Sequence, residues 1–210
     1  MGGVVTELSP FQGHKLPRDV SKTKPIRRAF SNDECLALMA KVASSNDTAL
    51  ADLINLGLYT GARIEELCQL KVNDIIVEDN HRALRIDKSK TQAGTRTVPL
   101  HPAITDLVDR LAEDSKDGYL VFSKSKNQYD ERSTGLSRRF GRLKSSLGYG
   151  PELVFHSLRK TVTTKLEQAG VSEGVAADIV GHEKQTITYG LYSGGASMAQ
   201  KMGAINNITY

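Results

Sequence analysis

The stretch from residue 156 to residue 192 reads HSLRKTVTTKLEQAGVSEGVAADIVGHEKQTITYGLY and carries most of the information in the chain. His156 and Arg159 are three residues apart, which places them on the same face of a helix. A Gly-His pair ending at His182 follows about two helices later, and Tyr192 comes soon after it. A histidine and an arginine on one helix face can bind one phosphate from two sides. A nearby hydroxyl nucleophile would make this a phosphoryl-transfer site.

Length and composition predict one ordinary globular domain. The chain has 210 residues, 39% of them hydrophobic and 25% charged, which is enough to bury a core. The net charge of +4 favours an anionic partner. There is no apolar run long enough to span a bilayer and no signal peptide, so we expect no membrane association and a cytoplasmic protein. Cys35 and Cys68 are expected to be buried reduced thiols, and neither has a second ligand at zinc-site spacing.

The first 28 residues differ from the rest. They are basic, contain three prolines and show no hydrophobic period, so we interpret residues 1–28 as a linker or an expression remnant. Residues 29–210 are expected to form the folded domain. Ser31 and Glu34 have the spacing of a capping box, which predicts that a helix begins there.

Hydrophobic periodicity predicts the remaining elements. Helical spacing recurs in segments from about 47, 63–70, from 101, 136–147, 156–169, 172–180 and 196–205. Three short segments in the middle, 74–77, 83–86 and 95–99, have the composition of strands joined by polar turns. The predicted fold class is α+β: one mostly helical domain with a small three-stranded antiparallel sheet on one side.

Two further motifs carry candidate site residues. Arg63 follows a glycine turn and precedes Glu66 by three residues, so the carboxylate can hold the arginine or a neighbour. Lys88 and Lys90 precede the loop before the third strand, where a lysine can reach a neighbouring site and donate a proton. Either lysine fits from position alone, and a solvated basic turn is the alternative.

In combination these motifs resemble the catalytic domain of the tyrosine recombinases, the phage-integrase family. The order Arg63, Lys90, His156-x-x-Arg159, Gly-His182 and Tyr192 matches the order in that family, from about Phe30 to the C-terminus. The resemblance implies the tyrosine-recombinase catalytic fold. It also implies the catalytic residues, which are Arg63, Lys90, His156, Arg159, His182 and Tyr192, with Glu66 in support.

Those residues imply an activity. The two arginines would clamp the scissile phosphate, the histidines would support it, Lys90 would protonate the leaving oxygen, and Tyr192 would attack. The product is a 3′-phosphotyrosyl bond, so neither metal nor cofactor is required. Lys90 is preferred to Lys88 because Lys-Thr before a basic-Thr-Val-Pro-Leu strand fits the family better.

Two tyrosines, Tyr189 and Tyr192, compete for the role of nucleophile. A spacing of nine residues from the histidine of the Gly-His pair is common in the family, and that position here is Leu191. Tyr192 lies one residue beyond it and Tyr189 lies two short, so Tyr192 needs the smaller insertion. Tyr189 can instead be an aromatic that packs on the core.

The implied function is site-specific DNA recombination, the integration or excision of a prophage or mobile element. Double-stranded DNA would be the substrate and a homotetramer the working assembly. Basic residues on predicted helices suit phosphate contacts and are the candidate DNA-binding set: Arg138, Arg139, Arg142 and Lys160. Alternatives are a catalytically inactive DNA-binding regulator and a type IB topoisomerase-like strand relaxer.

Two regions raise questions about assembly. The family usually carries a DNA-clamping domain before the catalytic one, and the first 28 residues are too short to form it, so we expect a truncated form. After Tyr192, an apolar line through Met198, Met202 and Ile205 predicts a final helix. That helix can pack on its own domain or on a neighbouring protomer.

Overall fold

The computed structural model of the protein describes residues 25–87, 95–123, 131–182 and 194–210. Within these ranges the helices are α1 (Asn32–Ala43), α2 (Thr48–Thr60), α3 (Ile64–Gln69), α4 (Thr105–Asp114), α5 (Thr134–Ser146), α6 (Phe155–Gln168), α7 (Glu173–Val180) and α8 (Met198–Ile205). The strands are β1 (Ile75–Glu78), β2 (His81–Ile86) and β3 (Arg96–Pro99). Short 3-10 turns at Val72–Asp74 and Pro102–Ile104 lead into β1 and α4. The predicted α+β class is confirmed.

The sheet is antiparallel with the order β1-β2-β3. In its central row Leu84 of β2 pairs with Ile75 of β1 and with Val98 of β3. The turn between β1 and β2 consists of Asp79 and Asn80, both with positive φ, which is the backbone geometry of a tight two-residue hairpin. This turn is the polar connection that the sequence predicts.

The helix ends follow the predicted capping chemistry. Glu34 N donates to Ser31 Oγ at 3.2 Å, and Ser31 N donates to a Glu34 carboxylate oxygen at 2.8 Å, so the capping box is confirmed. Gly61 ends α2 with φ 63° and Gly181 ends α7 with φ 75°. Both are in the left-handed region, which glycine adopts without strain.

Helix α2 lies at the centre of the core. It packs against α1 and α6, and the apolar residues of its helical pattern, Leu50, Leu53, Ile54 and Leu58, are buried. Cys35 and Cys68 are also buried and unpaired, as predicted. Burial raises the pKa of each thiol to about 12, so both stay protonated at neutral pH.

The chain enters the domain along α6. Phe30 is buried, and its backbone N–H donates to the Thr161 hydroxyl at 2.8 Å. Lys160 Nζ donates to the Arg27 carbonyl at 2.6 Å. The entry segment, residues 25–31, therefore lies against the helix that carries His156 and Arg159.

Helix α8 packs on its own domain, which is one of the two arrangements that its apolar line allows. It contacts α7 and β3, and Lys201 Nζ donates to the Thr97 carbonyl at 2.9 Å. The Asp178 carboxylate accepts the Ala196 N–H at 2.6 Å just before the helix starts. Among the described residues, no helix is both long enough and apolar enough to cross a membrane.

Candidate active site at the ends of α2 and α7

Arg159 joins the C-terminal ends of two helices. Its side chain is fully buried, and Nη1 donates to the Gly61 carbonyl while Nη2 donates to the Gly181 carbonyl, both at 3.0 Å. Nε lies 3.4 Å from Nε2 of His182. The last carbonyls of a helix lack partners within that helix, and a cation there also complements the helix dipole. These carbonyls therefore fix the guanidinium in place.

Arg63 lies beside Arg159. Its Nη2 donates to the same Gly181 carbonyl at 3.3 Å, and its Nη1 donates to Glu66 at 2.6 Å. The Arg63 side chain is 39% exposed, whereas Glu66 is buried. The two predicted arginines therefore share one carbonyl oxygen, with Arg63 on the solvent side and Arg159 beneath it.

Glu66 holds two arginines. Besides Arg63, it accepts Nη2 of Arg96 at 2.9 Å, and it also accepts the backbone N–H of Arg63 at 2.9 Å. Burial acts to raise the pKa of this carboxyl, but the hydrogen bonds and charges of Arg96 and then Arg63 outweigh burial. The pKa is therefore below its usual value and the carboxylate is ionised.

Arg96 is a site residue that the sequence reasoning missed. It lies on β3, is almost fully buried, and donates from Nε to the Ile179 carbonyl in the last turn of α7 at 2.7 Å. Strand alternation offered a signal, because Arg96 and Val98 are two residues apart and so lie on the same face of the sheet. A charged residue at a core-facing position needs a buried partner.

His156 and His182 lie at the solvent side of this cluster. Partial burial lowers the pKa of both imidazoles, and the positive charges of Arg159 and then Arg63 lower it further. Both histidines are therefore mainly neutral at pH 7 and can accept or donate a hydrogen bond. His156 lies in the first turn of α6, and Arg159 lies three residues further along the same helix.

Counted over the described residues, the cluster carries more positive than negative charge. Arg63, Arg96 and Arg159 face one buried carboxylate, Glu66. Burial, with repulsion from Arg63 and Arg96, lowers the pKa of Arg159, yet a guanidinium stays charged at neutral pH. Such an excess of fixed, partly desolvated positive charge favours a bound anion.

Four sequence candidates lie outside the described residues. These are Lys88, Lys90, Tyr189 and Tyr192. Their assignments therefore remain predictions. Within the described ranges there is no group of three His, Cys, Asp or Glu residues that could hold a metal ion.

The candidate DNA-binding residues fall into two groups. Arg138 and Arg142 are exposed on α5, where they line a surface depression of about 650 Å³. Arg139 lines the same depression but pairs with Asp47 at 2.8 Å. Lys160 is exposed on α6 and is held by the Arg27 carbonyl. Lys160 also lies close enough to His156 for its charge to lower the pKa of that imidazole.

The structure is an α+β domain in which Arg63, Arg96 and Arg159 surround the buried Glu66 carboxylate. The chain belongs to the phage integrase family, whose model matches residues 28–196. Tyrosine recombinase XerA of Pyrococcus horikoshii is 26% identical over 193 residues, which is 89% of this chain and 61% of the relative. Prophage integrase IntF of Escherichia coli K12 is 28% identical over 82% of this chain and 39% of the relative.

Solved structures agree on the fold. A lambda integrase dimer bound to a COC′ core site matches with a TM-score of 0.59 and 25% identity, over 84% of this chain and 53% of that one. The integrase from mycobacterium phage Brujita matches with a TM-score of 0.64 and 18% identity, over 90% of this chain and 60% of that one. The predicted tyrosine-recombinase catalytic fold is confirmed. This chain spans about two fifths to three fifths of the length of the relatives named above.

Proposed function

We propose that this protein is a tyrosine site-specific recombinase, an enzyme that cleaves and rejoins DNA through a 3′-phosphotyrosyl intermediate. The supporting observation is the pairing of Arg63 and Arg159 on one carbonyl oxygen, beside two histidines. That arrangement, in a member of the phage integrase family, suits a scissile phosphate better than any other ligand class.

The residues would act in a defined order. The Tyr192 hydroxyl attacks phosphorus while His156 or His182 takes its proton, since a phenol with a pKa of about 10 is a weak nucleophile until deprotonated. Arg63 and Arg159 stabilise the charge that builds on the non-bridging oxygens. The 5′ oxygen leaves with a proton from Lys90, which gives a free 5′ hydroxyl. Attack by another strand's 5′ hydroxyl releases Tyr192.

The substrate and setting follow from this chemistry. Double-stranded DNA of a recombination site is the proposed partner, and a homotetramer holds two such sites together for exchange. Relatives include a prophage integrase and a transposase from transposon Tn916, so we propose a prophage or other mobile element as the source. The reaction takes place in the cytoplasm, with no cofactor. Arg138, Arg139, Arg142 and Lys160 are the proposed phosphate contacts.

The test is covalent capture. The 210-residue chain is mixed with 5′-end-labelled duplexes that tile the DNA around its gene. Each is nicked on the 3′ side of the tested phosphate, so that the short fragment with the free 5′ hydroxyl diffuses away and the labelled 5′ fragment stays on the tyrosine. Denaturing gels compare wild type, Tyr192→Phe and Tyr189→Phe, with and without chelator. The expected result is a protein-linked band that persists in chelator and is lost only with Tyr192→Phe.

Each other outcome points to a different reading. Loss of the band only with Tyr189→Phe keeps the activity and moves the nucleophile. DNA binding without any covalent band supports the inactive regulator. A covalent band with resealing of the same strand, but no exchange between two duplexes, supports topoisomerase-like relaxation. A cleavage reaction that needs a divalent cation would contradict the whole proposal.

A further inference from the structure

The cluster contains an arginine for which the proposed reaction has no step. Arg96 is buried on β3, and its described partners are of two kinds: the Glu66 carboxylate, at 2.9 and 3.4 Å, and the Ile179 backbone carbonyl, at 2.7 Å. These two partners belong to α3 and to the last turn of α7. One rigid guanidinium therefore ties three elements together.

Each of these two partners of Arg96 lies within two residues of a group that binds Arg63 or Arg159. Glu66 holds Arg63 through the second bond of its carboxylate, at 2.6 Å. Ile179 is followed after one residue by Gly181, whose carbonyl accepts both Arg63 and Arg159. A displacement of Arg96 would thus move the support of both phosphate-binding arginines at once.

The packing around Gly181 points the same way. A Cβ added there would lie 2.7 Å from Nη1 and 2.9 Å from Cζ of Arg96, closer than such atoms can approach. The backbone turn before His182 therefore lies directly on the Arg96 guanidinium. Glycine at this position is required by its φ of 75° and by this contact.

We propose that Arg96 is a positioning residue for the recombinase site, which fixes Arg63, Arg159 and the turn that precedes His182 without touching the DNA phosphate itself. The planar fork is essential, because a lysine ammonium in its place can reach Glu66 or the Ile179 carbonyl but cannot hold both with fixed geometry. The inference rests on the proposed function, since it assigns Arg63 and Arg159 to the phosphate.

A second buried arginine supplies the matched control. Arg132 is 3% exposed, and Nε donates to the Cys68 carbonyl at 3.0 Å while Nη2 pairs with Asp117 at 3.1 Å. It thus combines a backbone carbonyl with a carboxylate, as Arg96 does, but it contacts neither Glu66 nor the turn at Gly181. Loss of Arg132 removes similar bonds from the scaffold alone.

The experiment measures anion binding, which needs no DNA site. Calorimetry with inorganic phosphate and an NMR titration of His182 compare wild type, Arg96→Met, Arg96→Lys and Arg132→Met. We expect both Arg96 variants to bind phosphate about tenfold more weakly and to shift the His182 pKa. Arg132→Met should match wild type in both measurements. Arg96→Lys keeps the charge and guards against an unfolded methionine variant.

Two results would overturn the inference. If Arg96→Lys matches wild type in both measurements, a positive charge at this position is sufficient, and the proposed positioning role of the guanidinium is wrong. If Arg96→Met matches Arg132→Met in both, Arg96 is merely structural. The covalent-capture experiment tests the proposed function separately from the role of Arg96. If wild type forms no covalent product but the variants show the expected order of phosphate affinities, the recombinase proposal is refuted and the positioning role of Arg96 stands.

Discussion

The two sides of helix α3 are built from the same kinds of groups and yet differ in charge. On one side Glu66 binds Arg63 and Arg96, and Arg159 lies beside them. On the other side Glu65 accepts the backbone N–H groups of Arg132 and Ser133, both at 2.9 Å. Two consecutive carboxylates of one short helix thus take part in two separate networks.

The difference lies in the balance of charge. At the second side Arg132 is matched by Asp117, and its guanidinium lies over the Tyr119 ring, 3.6 Å from the centroid. Glu65 adds a further carboxylate at the start of α5, where a negative charge is favourable. Among the residues that the structure describes, the first side has three arginines and one carboxylate, so it keeps surplus positive charge. An excess of positive charge that the fold holds in place indicates an anion-binding site, and the second side has no such excess.

The largest expected effect on stability comes from removing the carboxylate of Glu66 or of Glu65. Glu66→Ala leaves Arg96 buried without its charged partner, so we expect the free energy of unfolding to fall by about 3–5 kcal/mol. Glu65→Ala costs two hydrogen bonds to backbone groups and should lower it by about 1–3 kcal/mol. Urea unfolding followed by circular dichroism measures both. Equal losses would mean that the two sides are energetically alike.

A glycine pair sharpens the comparison next. Gly181→Ala must strain a φ of 75° and displace Arg96, so we expect a loss of about 3 kcal/mol. Gly170 ends α6 with φ 74° but has open space for a Cβ. Gly170→Ala should therefore cost only the backbone strain, about 1–2 kcal/mol. Thermal unfolding of the two variants compares their losses of stability directly. Equal losses would show that the Arg96 side chain can move aside without an energetic penalty.

The surplus charge also predicts stabilisation by anions. Phosphate at about a hundred times its Kd should add about 2.7 kcal/mol to the stability, which raises Tm by several degrees. Sodium chloride at equal ionic strength controls for screening. Arg132→Met should respond to phosphate as wild type does, whereas Arg63→Met should respond little. If phosphate and chloride act alike, the cluster has no specific anion site.

The sequence predicts those features of the fold and the site that depend on neighbouring residues, and it does not predict those that depend on long-range contacts. Capping residues and hydrophobic spacing predict the helices because those signals are local, as at Ser31 and Asp47. The order of Arg63, His156 and Arg159 is recognisable because each lies in a short motif. The role of Arg96 depends on α3 and α7 meeting at β3, over separations of 30 and 83 residues.

The fate of surface charges was less predictable still. Arg138 and Arg139 are neighbours on α5 with the same sequence signal, yet Arg139 pairs with Asp47 from the start of α2. Lys144, another basic residue of that helix, bonds the carbonyls of Tyr149 and Gly150. Such pairing is decided by tertiary packing, so composition alone overcounts the residues that are available to DNA.

The smallest expected effect is the pH dependence of stability that arises from the histidines. The pKa values of His156 and His182 are lowered by partial burial and by Arg159, so between those values and about 6.5 the unfolded state binds more protons than the folded state. Stability should therefore be full above pH 6.5 and fall as the pH falls through this window. Urea midpoints at pH 7.5 and 5.5 measure this, with His81→Gln, at the start of β2 and away from the arginine cluster, as the control. The double variant His156→Gln/His182→Gln should flatten the profile, and an unchanged slope would mean that these imidazoles do not sense the arginine cluster.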